Sequence, residues 1–222
     1  MINSRVGIAH LLDYRTEVML MDCQNWIVTD NGDCEAYYPE EYIPPTDSYR
    51  LYRFLTEMED IVETIPDDYK RLQAIIPRVR KLLEDSYWLQ MEYSQPSSDV
   101  GWSVNFLYQE PGFPFTAQMV TWLPGQVSPI HNHACWGIVA LINGEEKNRL
   151  WQRSPSAEYK HRIESTGETI VSPGEIIAFT PEAIHSVEPL GDEPTISFNL
   201  YGITDFSKRF EFDPTNHSAK NF

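Results

Sequence analysis

The sequence has few cysteines and no long hydrophobic run. Only three cysteines occur among its 222 residues, Cys23, Cys34 and Cys135, and so sparse and odd a set is not typical of a disulfide framework. No apolar stretch reaches the roughly 18 residues that a membrane-spanning helix needs. Charged residues also interrupt the first twenty positions. We therefore expect no signal peptide and a cytoplasmic protein.

Basic residues are scarce as well. Lys and Arg number 17 against 33 Asp and Glu, which gives a net charge of −16. Nucleic-acid binding depends on Lys and Arg that neutralise phosphates, so the balance excludes a nucleic acid as the expected partner. It disfavours anionic membrane surfaces for the same reason. With 41% hydrophobic residues the chain can bury a core, and we expect a monomer or a small homo-oligomer.

A first helix is predicted over residues 51–65, where apolar residues recur at i, i+3, i+4 and i+7. Asp47 or Ser48 could cap its first turn, and Pro66 ends it. We expect the apolar stripe to face the core. Residues 1–45 show no clear pattern and are expected to form a loosely attached segment.

A second helix is predicted over residues 72–83, with its apolar residues on one face. Pro77 lies inside this pattern, which predicts a kink or a restart of the helix. Residues 1–93 are therefore expected to supply an N-terminal segment and helices that pack on the rest of the chain.

From about Gly101 the pattern changes to short β-rich runs separated by Gly and Pro. Such spacing predicts a β-sandwich or barrel, here expected as one compact unit over residues 94–222. Residues 111–144 contain no Asp, Glu, Lys or Arg, which indicates successive buried strands. The predicted strands are Trp102–Tyr108, Thr116–Leu123, Trp136–Ile142, Glu145–Gln152, Ile176–Phe179 and Thr195–Tyr201.

The pair His131-Asn132-His133 is the strongest sign of chemistry. Side chains two residues apart on a strand point to the same face, so both imidazoles could enter one barrel interior and share a cation. His185, at a predicted junction of turn and strand, is the best third ligand. Three imidazoles leave coordination positions open, as catalytic metal sites do. The remaining histidines lack such a context and are expected at the surface or in packing: His10, His161 and His217.

The run Gly125-(x5)-His131-x-His133-(x3)-Gly137-(x6)-Gly144 resembles the first motif of the cupin superfamily, in which a carboxylate ligand usually stands where this chain has Gly137. Without it three neutral histidines remain, the arrangement of the cysteine dioxygenase family of thiol dioxygenases. The resemblance runs from about residue 70 to the C-terminus. It includes Trp122-x-Pro124-Gly125, Trp136-Gly137, Ile184-His185, Ser197-Phe198-Asn199-Leu200-Tyr201 and Phe212-Asp213-Pro214-Thr215-x-His217.

The resemblance implies a mostly β fold: a cupin double-stranded β-helix, or jelly-roll barrel, with N-terminal α-helices. It also implies one mononuclear iron(II) ion on His131, His133 and His185, with dioxygen as co-substrate. A small thiol of the cysteine or 3-mercaptopropionate type would then be oxidised to its sulfinate.

Ser197, Asn199 and Tyr201 alternate along one predicted strand and so share a face. In the family this face carries a Ser-His-Tyr relay behind the metal, which implies catalytic roles for these three residues. Asn199 stands in the place of the histidine, and an amide can orient a hydroxyl but cannot exchange protons near neutral pH. Some members cross-link the tyrosine to a cysteine, but the aligned residue here is Gly137. We expect no thioether with the nearby Cys135.

The substrate anchor also departs from the family. Members that oxidise cysteine carry an arginine on the strand before the His-x-His strand, which binds the substrate carboxylate. Residues 101–110 contain no basic side chain, and Ser103 stands about where the arginine is expected. Some relatives use an arginine after the tyrosine, so Arg209 is the candidate anchor. A surface ion pair of Arg209 with Glu211 or Asp213 is an equally good alternative.

A basic cluster follows the histidine pair, and it has two interpretations. It could attract an anionic substrate, or it could form a solvated hairpin with Glu145, Glu146 and Glu158 as partners, which is the better interpretation. The cluster consists of Lys147, Arg149, Arg153, Lys160 and Arg162.

Two other functions stay open at this stage. Three histidines also suit zinc-bound hydroxide, as in a zinc-dependent hydrolase or isomerase built on the same barrel. The barrel could also bind a small molecule without turnover.

Overall fold

A computed structural model describes residues 23–39, 49–96 and 99–221. Within these ranges the chain forms two α-helices and thirteen strands in two sheets. The helices are α1 (Leu51–Thr64) and α2 (Asp68–Asp85), and a 3-10 turn follows at Tyr87–Met91. The strands are β1 (Asn25–Val28), β2 (Cys34–Ala36), β3 (Trp102–Tyr108), β4 (Phe115–Trp122), β5 (Ile130–Asn132), β6 (Gly137–Asn143), β7 (Glu145–Arg153), β8 (Ile163–Val171), β9 (Ile176–Phe179), β10 (Ile184–Leu190), β11 (Thr195–Gly202), β12 (Phe210–Asp213) and β13 (Ser218–Asn221).

The strands from β4 to β11 divide between two antiparallel sheets. One sheet contains the order β9-β6-β11-β4 and the other the order β5-β10-β7-β8. Eight strands connected in this way form a jelly roll, the double-stranded β-helix of the cupins. The predicted fold class is therefore confirmed. The uncharged residues 111–144 contribute β4, β5 and β6, which agrees with their interpretation as successive buried strands.

The segment before the helices extends one of these sheets. Strand β1 pairs in parallel with β9, and β2 pairs antiparallel with β1. Ile27 and Val28 are completely buried. The expectation of a loosely attached segment is therefore wrong for Asn25–Ala36. The four residues of β1 are too few to show a period in hydrophobicity. Its partner strand lies about 150 positions later in the chain, so their pairing leaves no local signal in the sequence.

Helix α1 follows Arg50, which makes no side-chain cap, and it ends before Pro66 as predicted. The predicted caps Asp47 and Ser48, and His10, lie outside the described residues. In the described part of the chain no helix is both long and apolar enough to cross a membrane.

Helix α2 begins with Asp67, whose side chain accepts from the Lys70 backbone N–H at 2.9 Å. It then runs unbroken through Pro77, so the predicted restart does not occur. Proline lacks the N–H that would bond the carbonyl of Gln73, four residues earlier. The Tyr37 hydroxyl donates to that carbonyl instead, at 3.1 Å. This contact satisfies the carbonyl that the proline leaves without its helical partner.

Both helices pack on the outer face of the seven-stranded sheet, as their apolar stripes predicted. Phe54 of α1 meets Phe198 of β11 edge to face, with ring centroids 6.1 Å apart. Burial of each such side chain stabilises the fold by about 1.5–3 kcal/mol. The buried apolar residues of the helices are Phe54, Leu55, Met58, Leu72, Ile75, Ile76, Val79 and Leu82.

The space between the two sheets is only partly filled. Val139, Leu141, Leu150, Ile177 and Phe179 belong to an apolar cluster at one end of this interior. The rest is a hollow lined by polar and aromatic side chains. The predicted site residues lie around this hollow.

Candidate metal centre and its cavity

A cavity of about 810 Å³ lies between the two sheets. Cavities of this size usually enclose ligands well beyond the size of a single amino acid. Its walls combine apolar and polar side chains. The polar side chains include Gln118, His131, His133, Glu146, Asn148, His185, Ser197, Asn199, Tyr201 and Arg209.

The three predicted histidines converge at this cavity. Strands β5 and β10 pair so that His131 lies opposite His185, and His133 directly follows β5. The ligand nitrogens of the three rings all lie within 4.8 Å of one another. The Nε2 atoms of His133 and His185 are 3.1 Å apart. Residues 52 positions apart in the chain thus face one point.

Hydrogen bonds orient two of the rings. The His131 Nδ1–H donates to the Pro129 carbonyl at 2.9 Å. The His185 Nδ1–H donates to Asn148 Oδ1, also at 2.9 Å. Because each Nδ1 carries the proton, each Nε2 presents a lone pair to the cavity. Contacts of this kind fix the tautomer and the orientation of metal-binding imidazoles.

The surroundings keep all three rings neutral. Burial, together with the positive charge of Arg209, lowers the pKa of His131 to about 4. Burial also holds the pKa of His133 and of His185 well below the ordinary value of 6.5. Near neutral pH the three imidazoles are therefore unprotonated, which is the state that binds a metal ion.

The donor set fits a single divalent ion. Two nitrogens bound at about 2.1 Å and at right angles to each other lie about 3.0 Å apart. The His133–His185 separation of 3.1 Å matches this value. Three imidazoles are ligands of both iron(II) and zinc, and they leave room for further ligands. His131, His133 and His185 can thus hold a metal.

Gly137 has a steric reason to be glycine. A Cβ placed on it would lie 2.8 Å from two ring carbons of Tyr201 and 3.0 Å from His133 Nδ1. Neither a carboxylate nor a cysteine fits there unless the tyrosine moves. The close approach of Tyr201 therefore accounts for the missing carboxylate ligand of the cupin motif.

The predicted trio on β11 forms a chain of hydrogen bonds. The Tyr201 hydroxyl donates to Asn199 Oδ1 at 2.9 Å, and Asn199 Nδ2 donates to Ser197 Oγ at 2.8 Å. The Tyr201 ring lies edge to face with His133, at 4.9 Å between centroids. Burial raises the pKa of Tyr201 above its ordinary value. Its phenol therefore stays protonated beside the histidines.

Arg209 lies on the segment between β11 and β12 and lines the cavity. After burial, which is the larger cause, its positive charge also contributes to the lowered pKa of His131 and of His133. Glu211, one of its expected ion partners, is paired with Lys220 at 3.2 Å. Arg209 is thus placed at the end of the cavity that holds the histidines.

The strand expected to carry an arginine presents apolar side chains to the cavity instead. Trp102, Val104 and Phe106 of β3 line it. Ser103 alternates with them, and its hydroxyl donates to the backbone carbonyl of Ser94. This wall therefore has no charged group for a substrate carboxylate.

Two polar residues of β7 that line the cavity were not predicted. Glu146 was expected at the surface as a partner of the basic cluster, but it is only 3% exposed and lines the cavity. The Thr195 hydroxyl donates to its Oε1 at 2.6 Å, and burial raises its pKa to about 7. Asn148, two residues further, is 1% exposed. Since almost every residue of β7 up to Arg149 is polar, alternation of hydrophobicity could not distinguish the two faces.

The basic cluster forms ion pairs with other acids than expected. Lys147 and Arg149 both reach Glu188, at 3.3 and 2.6 Å, and Arg153 pairs with Glu182 at 3.3 Å. These contacts agree with a solvated hairpin and correct its predicted partners. His161 and His217 pack against Phe210 and Tyr159 respectively, as expected of histidines outside the site.

No protein-family model matches the chain. Several solved structures are similar over about half of it. An oxalate oxidase in complex with the substrate analogue glycolate is 18% identical, with a TM-score of 0.40, over 50% of this chain and 56% of the oxidase. A double-stranded β-helix protein from Klebsiella pneumoniae is 19% identical, with a TM-score of 0.40, over 52% of this chain and 83% of its own. A cupin superfamily protein from Desulfitobacterium hafniense is 10% identical, with a TM-score of 0.39, over 52% and 87%.

Proposed function

We propose that this protein is an iron(II)-dependent dioxygenase that oxidises a small thiol to its sulfinate. His131, His133 and His185 would hold the ion. One observation carries the proposal: three neutral imidazoles converge beside the Tyr201 ring inside a single cavity. The resemblance of the sequence to thiol dioxygenases supports iron and a thiol over other choices.

The reaction balances without a further reductant. One thiol and one dioxygen give one sulfinic acid, so that sulfur loses four electrons and dioxygen gains four. Bound iron(II) would supply the site at which the thiol loses its proton and dioxygen is activated. Three uncharged ligands leave the full double positive charge at this point, which favours binding of an anionic thiolate.

The residues around the three histidines would bind the substrate and orient the groups that contact it. The Tyr201 ring contacts His133, and its hydroxyl is held by the hydrogen bond that it donates to Asn199 Oδ1. Ser197 in turn holds the Asn199 amide. An amide neither takes up nor releases a proton near neutral pH. The chain therefore positions Tyr201 and does not pass protons along the strand.

Arg209 is the proposed anchor for an anionic group of the substrate. It lines the cavity at the end that holds the histidines, and a guanidinium binds a carboxylate through two parallel hydrogen bonds. On this assignment a substrate carboxylate binds near Arg209, and the apolar wall of β3 contributes no charge.

The test is aerobic incubation of the iron-loaded protein with cysteine, 3-mercaptopropionate and cysteamine. We expect at least one thiol to consume one dioxygen per molecule and to gain two oxygen atoms, as measured with an oxygen electrode and by mass spectrometry. Tyr201→Phe should retain iron and turn over more slowly. A protein that is fully loaded with iron and consumes no dioxygen with any of these thiols would contradict the proposal.

A zinc-dependent hydrolase or isomerase is the second candidate, because the same three-histidine donor set suits zinc. Zinc as the metal retained after purification, together with no oxygen uptake by the iron-loaded form, would favour it. Stabilisation of the protein by a ligand that is recovered unchanged would favour a binding protein without turnover.

A further inference from the structure

Glu146 is a buried carboxyl group in the cavity that the proposed chemistry does not use. It lies on β7 two residues before Asn148, whose side chain contacts His185. Residues two apart on a strand are separated by about 7 Å and point the same way. Glu146 therefore faces the same cavity as the histidines, and it lies further along β7 from His185 than Asn148 does.

The Glu146 carboxyl has an incomplete set of partners. Thr195 is its one hydrogen-bond partner among the described residues. None of the ion pairs formed by the described basic side chains includes it. Only burial and the Thr195 hydroxyl shift its pKa. A buried carboxylate is costly unless a positive group or several hydrogen bonds compensate its charge. A ligand could provide the positive charge or the hydrogen bonds that the protein does not.

Asn148 points to the same conclusion independently. Its Oδ1 accepts from His185, but its Nδ2 is buried without a partner among the described residues. Buried amide donors are normally hydrogen-bonded. Two neighbouring polar groups on one wall, both nine-tenths or more buried, thus have unused capacity toward the cavity.

The size of the cavity allows a ligand to reach both places. Its volume of about 810 Å³ extends from the histidines past Asn148 to Glu146. Between these points the opposite wall presents the apolar Val120 and Val139 together with the polar Ser197 and Asn199 of β11. A ligand that spans the distance would place one polar group at the histidines and another at Glu146.

We propose that Glu146 binds the ammonium group of an extended substrate whose other end lies at the three histidines. Asn148 donates a hydrogen bond to an acceptor atom of the same molecule. This role takes from the proposed function only that the cavity binds the substrate, and it names an amine-bearing substrate class. A carboxylate in this position would meet the negative charge of Glu146 and leave both groups without compensation.

The test compares binding of straight-chain amines of two to eight carbons with the alcohols and carboxylates of equal length. Affinity is measured by calorimetry and by the shift in melting temperature of the metal-loaded protein. We expect amines to bind about tenfold more tightly than alcohols of the same length, and the preference to grow until the chain spans the cavity. Glu146→Gln keeps the volume and the acceptor for Thr195 but removes the charge, so it should abolish the preference.

Glu188→Gln is the matched control, because Glu188 lies outside the cavity lining, in the ion pairs of Lys147 and Arg149. It changes the net charge equally and should leave the preference intact. Should Glu146→Gln fail to fold, Thr195→Val provides the second variant. It removes the hydroxyl that holds the carboxyl and should weaken amine binding several-fold.

An equal preference for amines in the wild type and Glu146→Gln, or no preference in the wild type, would overturn the assignment. Since binding is measured without turnover, it separates this proposal from the dioxygenase. Amine binding with no oxygen uptake would remove the proposed reaction and keep the subsite. Oxygen uptake by a protein that shows no preference for amines would keep the proposed reaction and remove the subsite.

Discussion

The two faces of strand β11 show two different uses of one stretch of sequence. The outward side chains are apolar and pack under α1 and α2, where Phe198 meets Phe54. The inward side chains are polar and border a hollow. The outward set is Ile196, Phe198 and Leu200, and the inward set that lines the cavity is Ser197, Asn199 and Tyr201.

The outward side chains of this eight-residue strand stabilise the fold, whereas the inward ones are available for binding a ligand. Apolar area buried on the outer face contributes directly to the free energy of folding. The inner face holds polar groups against an unfilled space, which contributes little stability and provides contacts for a ligand. Substitutions on the outer face should therefore unfold the protein, whereas those on the inner face should alter binding. Three experiments examine this comparison.

The largest effect is expected from His185→Ala on the inner side of the barrel. Removal of one of three ligands should reduce bound metal from about one ion per chain to near zero, because two imidazoles hold an ion far less tightly. The measurement is metal content after dialysis. His161→Ala, whose ring packs on Phe210 outside the site, should retain the ion. Normal retention by His185→Ala would refute the ligand set.

The next effect compares neighbours on opposite faces of β11. Phe198→Ala should lower the free energy of unfolding by about 3–5 kcal/mol, because it leaves a cavity between sheet and helices. Ser197→Ala, one residue away, should lower it by about 1 kcal/mol or less, since it removes a single hydrogen bond to Asn199. Urea denaturation of the two variants measures both values. Equal losses would mean that the inner face also supports the fold.

The smallest effect is a pH dependence of stability due to Glu146. Its pKa of about 7 in the folded state exceeds the ordinary value of 4.5, so the folded protein binds more protons between these values. The stability that the raised pKa of Glu146 contributes is fully present below about pH 4.5, and it is lost as the pH rises through about 7. The loss amounts to about 3 kcal/mol at most.

Urea denaturation at about pH 4 and about pH 8 measures this dependence, with Glu146→Gln as the reference that lacks the titrating group. From the lower to the higher pH, the free energy of unfolding of the wild type should fall relative to that of the variant. Glu188→Gln is the control, because hydrogen bonds and charges from Lys147 and Arg149 lower the pKa of Glu188, and so its contribution has the opposite sign. A parallel pH profile for wild type and Glu146→Gln would show that Glu146 does not titrate in the folded protein near neutral pH.

Much of the framework could be predicted because its signals are local. These signals depend only on neighbouring residues: the apolar periods of α1 and α2, the β-rich runs and the uncharged stretch 111–144. Most predicted boundaries of helices and strands lie within about one residue of the observed ones. The histidine pair needed only the two-residue repeat of a strand. His185 was chosen as the third ligand from its place at a predicted junction of turn and strand, and the cupin resemblance supported this choice.

The remaining features depend on distant partners. Strand β1 pairs with β9, and Glu146 is held by Thr195, 49 residues away. Gly137 is glycine because Tyr201 approaches from another strand. No window of the sequence contains both members of any of these pairs. The inward face of β7 was missed because polar residues occupy both of its faces.

The hydrogen bonds of Tyr201 also have a direction, and this limits what a ligand can offer. Its single hydroxyl hydrogen points to Asn199 Oδ1, so only oxygen lone pairs are turned toward a bound molecule. A histidine in place of Asn199 could switch between donor and acceptor, and the tyrosine could then reverse its role. With an asparagine fixed by Ser197, the hydroxyl group selects partners that carry a hydrogen of their own, such as a protonated oxygen or nitrogen.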